Sequence, residues 1–390
     1  MIPVNEPLIG KKELRYVTDC LKTGWISSEG KFIKEFEERW AQYCNRKYGI
    51  AVSNGTVALQ VAVQSLELLK DSEVILPTFT IISCAMAIIY NKLNPVLVDS
   101  DPETWTMDVT KIEEKITPKT KAIMPVHIYG HPCDMDKILE IAKKYDLKII
   151  EDAAEAHGAE YKTILQNEEY QMKNKTSGKE SNWKRCGSFG DVSCFSFYAN
   201  KIITTGEGGM ILTDDEGLAE RCRSIRNLCF KKERRFYHTE MGNNFRFTNL
   251  QAAIGLAQLE RIDEHIKKKR WIGKLYTERL RDIKGLQLPV EKEWAKNVYW
   301  MYGIVLDESI GMTAEEFAKR LYEQGIETRP FFLGMHEQPV FQKMGLFKGE
   351  HYPVAERIAR RGLYLPSGLT LTEAQIEEVV KAVRKIIIKR

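Results

Sequence analysis

Lys201 has the setting of a reactive amine. It follows the apolar segment FSFYAN and precedes IITTGEGG, between a strand-like run and a turn carrying Gly206, Gly208 and Gly209. A lysine that attacks a carbonyl at neutral pH must have its pKa lowered or be held as an imine. Glycines let the neighbouring backbone adopt positive φ and approach a ligand closely. Asp152 closes the apolar run LKIIED, where a carboxylate can partner the protonated nitrogen of a heteroaromatic ring. In SNGTVAL (53–59), Gly55 and Thr56 open a helix directly after a strand. A helix N-terminus offers free N–H groups and a positive dipole end to a phosphate. Ser196, five residues before Lys201, can add a hydroxyl to the same phosphate.

Taken singly, each feature has a plainer reading: surface charge for the lysine, a helix cap for the aspartate, a tight turn for TTGEGG. The spacing around Gly55 is neither a Walker loop nor a Gly-x-Gly-x-x-Gly dinucleotide turn. An imine-forming lysine with a carboxylate for a ring nitrogen suits pyridoxal phosphate, whose protonated pyridine is the electron sink for carbanion chemistry. His127, His131 and Cys133 in PVHIYGHPCD have spacings that a metal could use, but no fourth ligand lies nearby. The plainer reading is a strand end turning into a helix that starts near Asp134, and no metal is expected.

The elements that must carry these residues alternate. Strand candidates are 48–53, 73–77, 95–99, 121–126 and 147–152, with helix candidates 55–69, 82–91, 109–116 and 135–145 between them. Apolar strands alternating with amphipathic helices imply a mostly parallel sheet covered on both faces. Ligands on such sheets bind at the C-terminal strand ends, and Asp99, His127 and Asp152 fall there. Segment 163–185 is polar and reads as a surface loop or insertion. Strand-like runs return at 191–197 and 208–214, and 249–281 is rich in helix. The remainder carries helix candidates at 313–324 and 372–388 around a strand-like 298–306. We therefore expect an α/β chain with a large domain at 1–248 and a smaller α+β domain at 249–390.

Composition narrows the setting. A net charge of +4 over 390 residues does not suggest nucleic acid. KKERR (231–235) and KKKR (267–270) read as solvated helix faces. The longest apolar stretch, 75–89, is broken by Pro77 and several hydroxyls and is too short to span a bilayer. MIPVNEPLIG does not have the pattern of a secretory signal. Eight scattered cysteines without a CxxC pair fit reduced thiols in the cytoplasm.

SNGTVAL, PTFT, PVHIYG, IIEDAAEAHGA, GSFGDVSCFSFYANKIITTGEGGMI, NNFRFTNLQAAIGLAQLE and RPFF occur in that order across nearly the whole chain. Together they resemble the DegT/DnrJ/EryC1/StrS family of sugar aminotransferases, and EDAAEAHGA and FSFYANKIITTGEGG resemble its GDP-perosamine synthase branch. The resemblance implies a fold-type I aminotransferase using pyridoxal 5′-phosphate, L-glutamate and a nucleotide-linked keto sugar. It further implies GDP-4-keto-6-deoxymannose as the preferred sugar, with amination at C4. By position, Lys201 matches the Schiff-base lysine and Asp152 the partner of the pyridine nitrogen. Gly55, Thr56 and Ser196 match phosphate-binding positions, and Glu155 the polar residue against the ring. Asn244, with Arg246 nearby, matches a motif contributed by a neighbouring subunit, which implies a homodimer with shared sites. Trp25, Ser27, Arg329 and His336 lie in segments used near the sugar nucleotide.

Two departures stand out. Ile81 falls where relatives often place an aromatic ring over the cofactor, with Phe79 as a substitute, so stacking is weaker or supplied elsewhere. Segment 163–185 is longer than the usual connection. Other uses of the scaffold are amination of a UDP- or dTDP-linked sugar, dehydration by relatives carrying histidine at the lysine position, and a non-catalytic regulatory role. Lysine at 201 favours amino transfer over dehydration, and its retention beside Asp152 and Ser196 argues against a non-catalytic role.

Overall fold

A computed structural model describes residues 1–164, 182–231, 233–234 and 236–388. The strands are β1 (Tyr48–Val52), β2 (Glu73–Pro77), β3 (Asn94–Val98), β4 (Thr120–Ile123), β5 (Lys148–Asp152), β6 (Glu160–Lys162), β7 (Trp183–Arg185), β8 (Val192–Ser196) and β9 (Gly209–Thr213), then β10 (Leu286–Gln287), β11 (Ala295–Lys296), β12 (Tyr302–Leu306), β13 (Arg329–Pro330) and β14 (Gly362–Leu365). The helices are α1 (Lys11–Thr23), α2 (Lys31–Tyr43), α3 (Gly55–Ser65), α4 (Ser83–Tyr90), α5 (Met135–Tyr145), α6 (Glu216–Arg226), α7 (Asn249–Leu259), α8 (Ile262–Leu280), α9 (Ala314–Tyr322), α10 (Pro339–Lys343), α11 (Pro353–Arg361) and α12 (Glu373–Ile388).

The main sheet has seven strands in the order β1-β9-β8-β5-β4-β2-β3. Its strands run parallel except for β9, which is antiparallel to both neighbours. Near-continuous burial along β2, β5, β8 and β9 explains why their sequences read as apolar runs rather than alternating ones. The α/β reading and the mostly parallel sheet hold. The helix expected at 109–116 does not: the chain there makes two separate 3₁₀ turns, Val109–Lys111 and Glu113–Lys115. Asp108 starts the first turn through its side chain, and Ile116 leaves the second in an extended conformation. In the strand-like 298–306, only Tyr302–Leu306 pairs; Tyr299 has φ of 49° and breaks the run.

A second sheet, β10-β12-β14-β13, is antiparallel throughout. Its core gathers Tyr276, Tyr302, Phe317, Leu365 and Val383. Ala252, Ala253 and Leu256 of α7 belong to the core of the first sheet, whereas Ile272, Tyr276 and Leu280 of α8 belong to the second. The chain thus passes from one core to the other within α8, and we propose the domain division there rather than at residue 248.

β6 and β7 form a hairpin that β11 extends to three strands. Thr163 and residues 183–185, included in the polar segment of the sequence reading, are built into this unit. Thr163 Oγ1 donates to Asp136 Oδ1 at 2.6 Å, and Thr163 N donates to Asn182 O at 3.0 Å. Residues 165–181 of that segment lie outside the described residues. Because the two ends are already hydrogen-bonded, Asn-Gly after Ile164 gives a three-residue loop that can close the hairpin in their place. Replacing residues 165–181 by Asn-Gly should leave the far-ultraviolet circular dichroism unchanged and the Tm within a few degrees of the parent. Loss of cooperative melting would show that the segment contributes to the core.

Candidate active site

Asp152 is the last residue of β5, and β8 lies beside it in parallel register, Asp152 opposite Cys194. The next turns of chain after β5 and β8 therefore share the C-terminal end of these strands. Glu155 follows Asp152 in a short turn, and Lys201 follows β8 in another, its N–H donating to Tyr198 O at 2.9 Å. Across the gap Lys201 Nζ lies 3.7 Å from Glu155 Oε1. On its other side is the ring of Trp300, with Nζ 3.7 Å from the centroid.

Burial sets the electrostatics. It lowers the Lys201 ammonium from the usual lysine range, with Glu155 and Asp152 opposing the shift. It pushes the Glu155 carboxyl up to about 7, partly countered by Lys201 and by the Tyr129 N–H, which donates to Glu155 Oε2 at 2.8 Å. Asp152 is raised for the same reason. Its Oδ1 accepts the Ala154 N–H at 3.0 Å and its Oδ2 the Cys84 thiol at 3.1 Å. A carboxylate oxygen has a second lone pair, so each can still accept a ring N–H.

The start of α3 lies against the same strand ends. Asn54 caps it, its side chain accepting the Val57 N–H at 3.0 Å, which leaves the first helical N–H groups pointing outward. Gly55 is needed for contact: a Cβ there would fall 2.7 Å from Ser196 Cβ and 3.0 Å from Ser196 Oγ. Gly209 is needed behind it, since a Cβ would lie 2.4 Å from Asn54 O. Thr56 Oγ1 is 2.8 Å from Ser83 Oγ. Gly55, Thr56 and Ser196 thus form a small cradle of N–H and hydroxyl groups. An amine, a buried carboxylate and a helix-end cradle can hold a phosphorylated pyridine aldehyde by three different atoms.

The structure places the other expected residues as follows. Asn244 is exposed on a segment pinned beside β1 by a hydrogen bond from Ser53 N to Phe245 O at 3.0 Å. Arg246 donates to Asn227 Oδ1 at 2.8 Å. Trp25 is 56% exposed, and the loop carrying it and Ser27 is tied to α7: Trp25 O accepts Asn249 Nδ2 at 2.7 Å and Ser27 O accepts Asn249 N at 2.6 Å. Arg329 is exposed on β13, opposite Tyr364. His336 is enclosed instead. Its Nδ1 is 2.8 Å from Thr78 Oγ1 and its Nε2 3.2 Å from Glu356 Oε1, so both nitrogens are engaged within the protein. Phe79 is fully buried among Tyr129, Phe331 and Phe332, while Ile81 is 39% exposed. Asp99, at the end of β3, caps α11 by accepting the Val354 and Ala355 N–H groups.

His127, His131 and Cys133 do not converge. His127 Nδ1 accepts the Cys133 N–H at 3.0 Å, and Nε2 lies 2.9 Å from Glu151 Oε1. Cys133 Sγ donates to Val126 O, and His131 Nδ1 is 2.7 Å from Pro132 O. Glu151 also accepts the Phe189 N–H and the Ser193 hydroxyl. Against the cost of its burial, His127 and the Gly187 and Phe189 N–H groups hold its carboxyl below the usual range. This buried pair ties β5 to the turn before β8 and so sets the strand spacing beneath Asp152.

The sequence reading missed Trp300, Tyr129 and Cys84. Each stands in an apolar run where an aromatic ring or a thiol reads as core. Tyr129 alone carried a signal, in the YG pair after a strand end, and its φ of 52° turns its N–H toward Glu155.

Comparison with known proteins accords with this geometry. The chain is 42% identical over 388 residues, 99% of its length, to the GDP-perosamine synthase of Caulobacter vibrioides, covering 98% of that protein. It is 41% identical over 384 residues to the GDP-perosamine synthase of Escherichia coli O157:H7, 98% of each chain. Among solved structures, the aminotransferase TlmJ from Streptoalloteichus hindustanus superposes with a TM-score of 0.88 at 28% identity, over 100% of this chain and 99% of that one. The model of the DegT/DnrJ/EryC1/StrS aminotransferase family matches residues 7–384, and the chain belongs to that family.

Proposed function

We propose that this aminotransferase binds pyridoxal 5′-phosphate at Lys201 and moves an amino group from L-glutamate to C4 of GDP-4-keto-6-deoxymannose, giving GDP-perosamine. The observation that carries the reading is the Lys201 amine, buried between Glu155 and Trp300 one turn from Asp152. The sugar rests on the two perosamine synthases that the chain resembles over almost its full length. When bound, the cofactor supplies an aldehyde for amino transfer and a pyridinium that withdraws electrons from the reacting carbon.

The roles of the protein groups follow from their places. Asp152 holds the ring nitrogen protonated, and the Cys84 thiol and Ala154 N–H keep its carboxylate aimed. Gly55, Thr56 and Ser196 hold the phosphate. Burial keeps a fraction of the Lys201 amine neutral, so it can take a proton from the glutamate α-carbon and return one as a general base and acid. Glu155 balances the ammonium while it carries that proton. Asn244 is exposed, as a residue that serves a neighbouring subunit must be, with the half-buried Arg246 two residues on bonded to Asn227, and the active unit is a homodimer. Trp25, Ser27 and Arg329 are open to a nucleotide sugar. His336 acts by holding Thr78 in the loop after β2. The eight cysteines are unpaired and buried, which suits the reducing cytoplasm. Among the described residues no helix is long and apolar enough to cross a membrane.

Borohydride treatment of the cofactor-loaded protein should leave a stable adduct on the peptide containing Lys201, read by mass spectrometry. Lys201→Ala should lose turnover by about a hundredfold or more while still binding cofactor. Normal turnover by this variant would remove the assignment.

If Asn244 serves the neighbouring site, mixing inactive Lys201→Ala with an Asn244→Ala variant of low activity should restore part of the rate. In a mixed dimer one site then has both wild-type residues. A fully active monomer in a sedimentation experiment would contradict this.

A site that hydrogen-bonds a guanine edge leaves polar groups unpaired against uracil or thymine. Initial rates at one glutamate concentration should therefore favour the GDP-linked 4-keto sugar by about a hundredfold or more in kcat/KM over UDP- and dTDP-linked ones. NMR of the product should place the amine at C4. Equal rates with a dTDP-linked sugar, or amination at C3, would overturn the substrate and leave amino transfer in place.

A further inference from the structure

We propose that Trp300 is a positioning residue for the reactive lysine: its ring face is the seat of Lys201 Nζ whenever that nitrogen is a free amine, and its indole N–H fixes the turn that carries the lysine. The proposal rests on reading Lys201 as the lysine that bears the cofactor. Three contacts support it. Lys201 Nζ stands 3.7 Å from the Trp300 ring centroid. Trp300 Nε1 donates to Asn200 O, the carbonyl immediately before the lysine, at 2.8 Å. The ring also stacks on Tyr129 at 6.2 Å and 27°, and the Tyr129 N–H holds the Glu155 carboxylate that faces the ammonium from the other side.

Trp300 is itself held by contacts that leave it little freedom. Its side chain is only 3% exposed. Its carbonyl accepts Lys269 Nζ at 2.7 Å, from α8. Val298 N donates to Gly130 O at 3.2 Å, and the close approach needs a glycine: a Cβ at Gly130 would lie 3.0 Å from Trp300 N. The loop before β12 is thus locked to the turn carrying Tyr129 and to α8, and through Asn200 to the turn of Lys201. Asn5 Nδ2 donates to the same Asn200 carbonyl at 2.8 Å, so the N-terminal segment braces it as well.

The geometry bears on proton transfer. A lysine that moves protons must be part ammonium and part amine at working pH, and burial alone drives it toward the amine. The groups facing its Nζ region are Asp152 at the end of β5, Glu155 after it, the Cys84 thiol from α4, His157, and the Trp300 ring. Burial lowers His157 to about 3, so it adds no charge. The ring therefore joins the two carboxylates in favouring the ammonium. A desolvated cation over an indole face is favoured enough to raise its pKa by about one unit or more.

The test uses the full-length chain stripped of cofactor. The pH dependence of Lys201 acylation by an amine-selective reagent, read by mass spectrometry on its peptide, gives the midpoint for the free amine. Trp300→Leu should lower that midpoint by about one pH unit. Trp300→Phe, which keeps a π face but has no N–H, should recover most of it. In the loaded enzyme Trp300→Leu should reduce kcat about tenfold or more with KM for the keto sugar unchanged. If Trp300→Leu does not fold, replacing tryptophan biosynthetically by a trifluorinated analogue weakens the ring face without changing its shape, and the midpoint should still fall. An unmoved midpoint in a folded Trp300→Leu or fluorinated protein overturns the proposal, as does an equal shift in the Phe and Leu variants. A borohydride adduct on another lysine overturns the reading of Lys201 itself; an adduct on Lys201 with an unmoved midpoint overturns only the role of Trp300.

Discussion

Taking a lysine ammonium out of water carries a penalty of several kcal/mol unless its surroundings return the interactions that water supplied. At Lys201 those surroundings are one carboxylate at 3.7 Å and one indole face at 3.7 Å, with Asp152 further off. The compensation is incomplete, so the amine stays below the usual lysine range while Glu155 rises to about 7. Two groups whose environments push them toward each other share a proton easily, which is the condition that proton transfer near neutral pH requires. Because they are coupled, the titration belongs to the pair and not to either residue alone.

That balance depends on spacing, and spacing depends on the sheet. Asp152 and Glu155 leave one parallel strand and Lys201 the turn beyond its neighbour, so the β5–β8 register fixes their separation. The buried His127–Glu151 pair reinforces the register from beneath. Glu151 also takes the Phe189 N–H and the Ser193 hydroxyl, which binds the turn entering β8 to β5. Breaking such a buried network would leave a charge unpaired, at a cost of several kcal/mol. The resulting rigidity at the strand ends contrasts with the exposed rim of Asn244, Trp25 and Arg329.

Much of this was legible in the residues. The sheet followed from apolar runs of strand length, and α3, α5 and α9 from the helix candidates at 55–69, 135–145 and 313–324, which the structure starts at caps on Asn54, Asp134 and Thr313. Lys201, Asp152, Gly55 and Ser196 were singled out because strand ends and helix starts have sequence signatures, and the fold sets Asp152 beside β8 and Gly55 against Ser196. TKIEEKI has helical periodicity, but the helix expected at 109–116 is replaced by two 3₁₀ turns, the first started by the Asp108 side chain and the second left through an extended Ile116. His336 was grouped with substrate residues by its place in sequence, but its partners Thr78 and Glu356 are distant in the chain and invisible to spacing. Trp300 was missed for the same reason: within VYWMYG an aromatic ring reads as core, and only the fold brings it under the lysine.

The placement of Trp300 couples the second lobe to the chemistry. Trp300 precedes β12, a strand of the second sheet, yet its side chain belongs to the core of the first. Lys269 lies between the lobes, buried and without a carboxylate partner among the described residues, its Nζ shared by the carbonyls of Trp300 and Ser367. Burial lowers it to about 7, so over the physiological range its two hydrogen bonds can be made by an amine as well as by an ammonium. A neutral amine with two donors satisfies both carbonyls without a buried charge. The strut from α8 to Trp300 therefore holds its geometry through a protonation change that would disrupt an ion pair. Trp300 is thus held beneath Lys201 Nζ whether Lys269 is charged or neutral, and the second lobe takes part in setting where that amine rests.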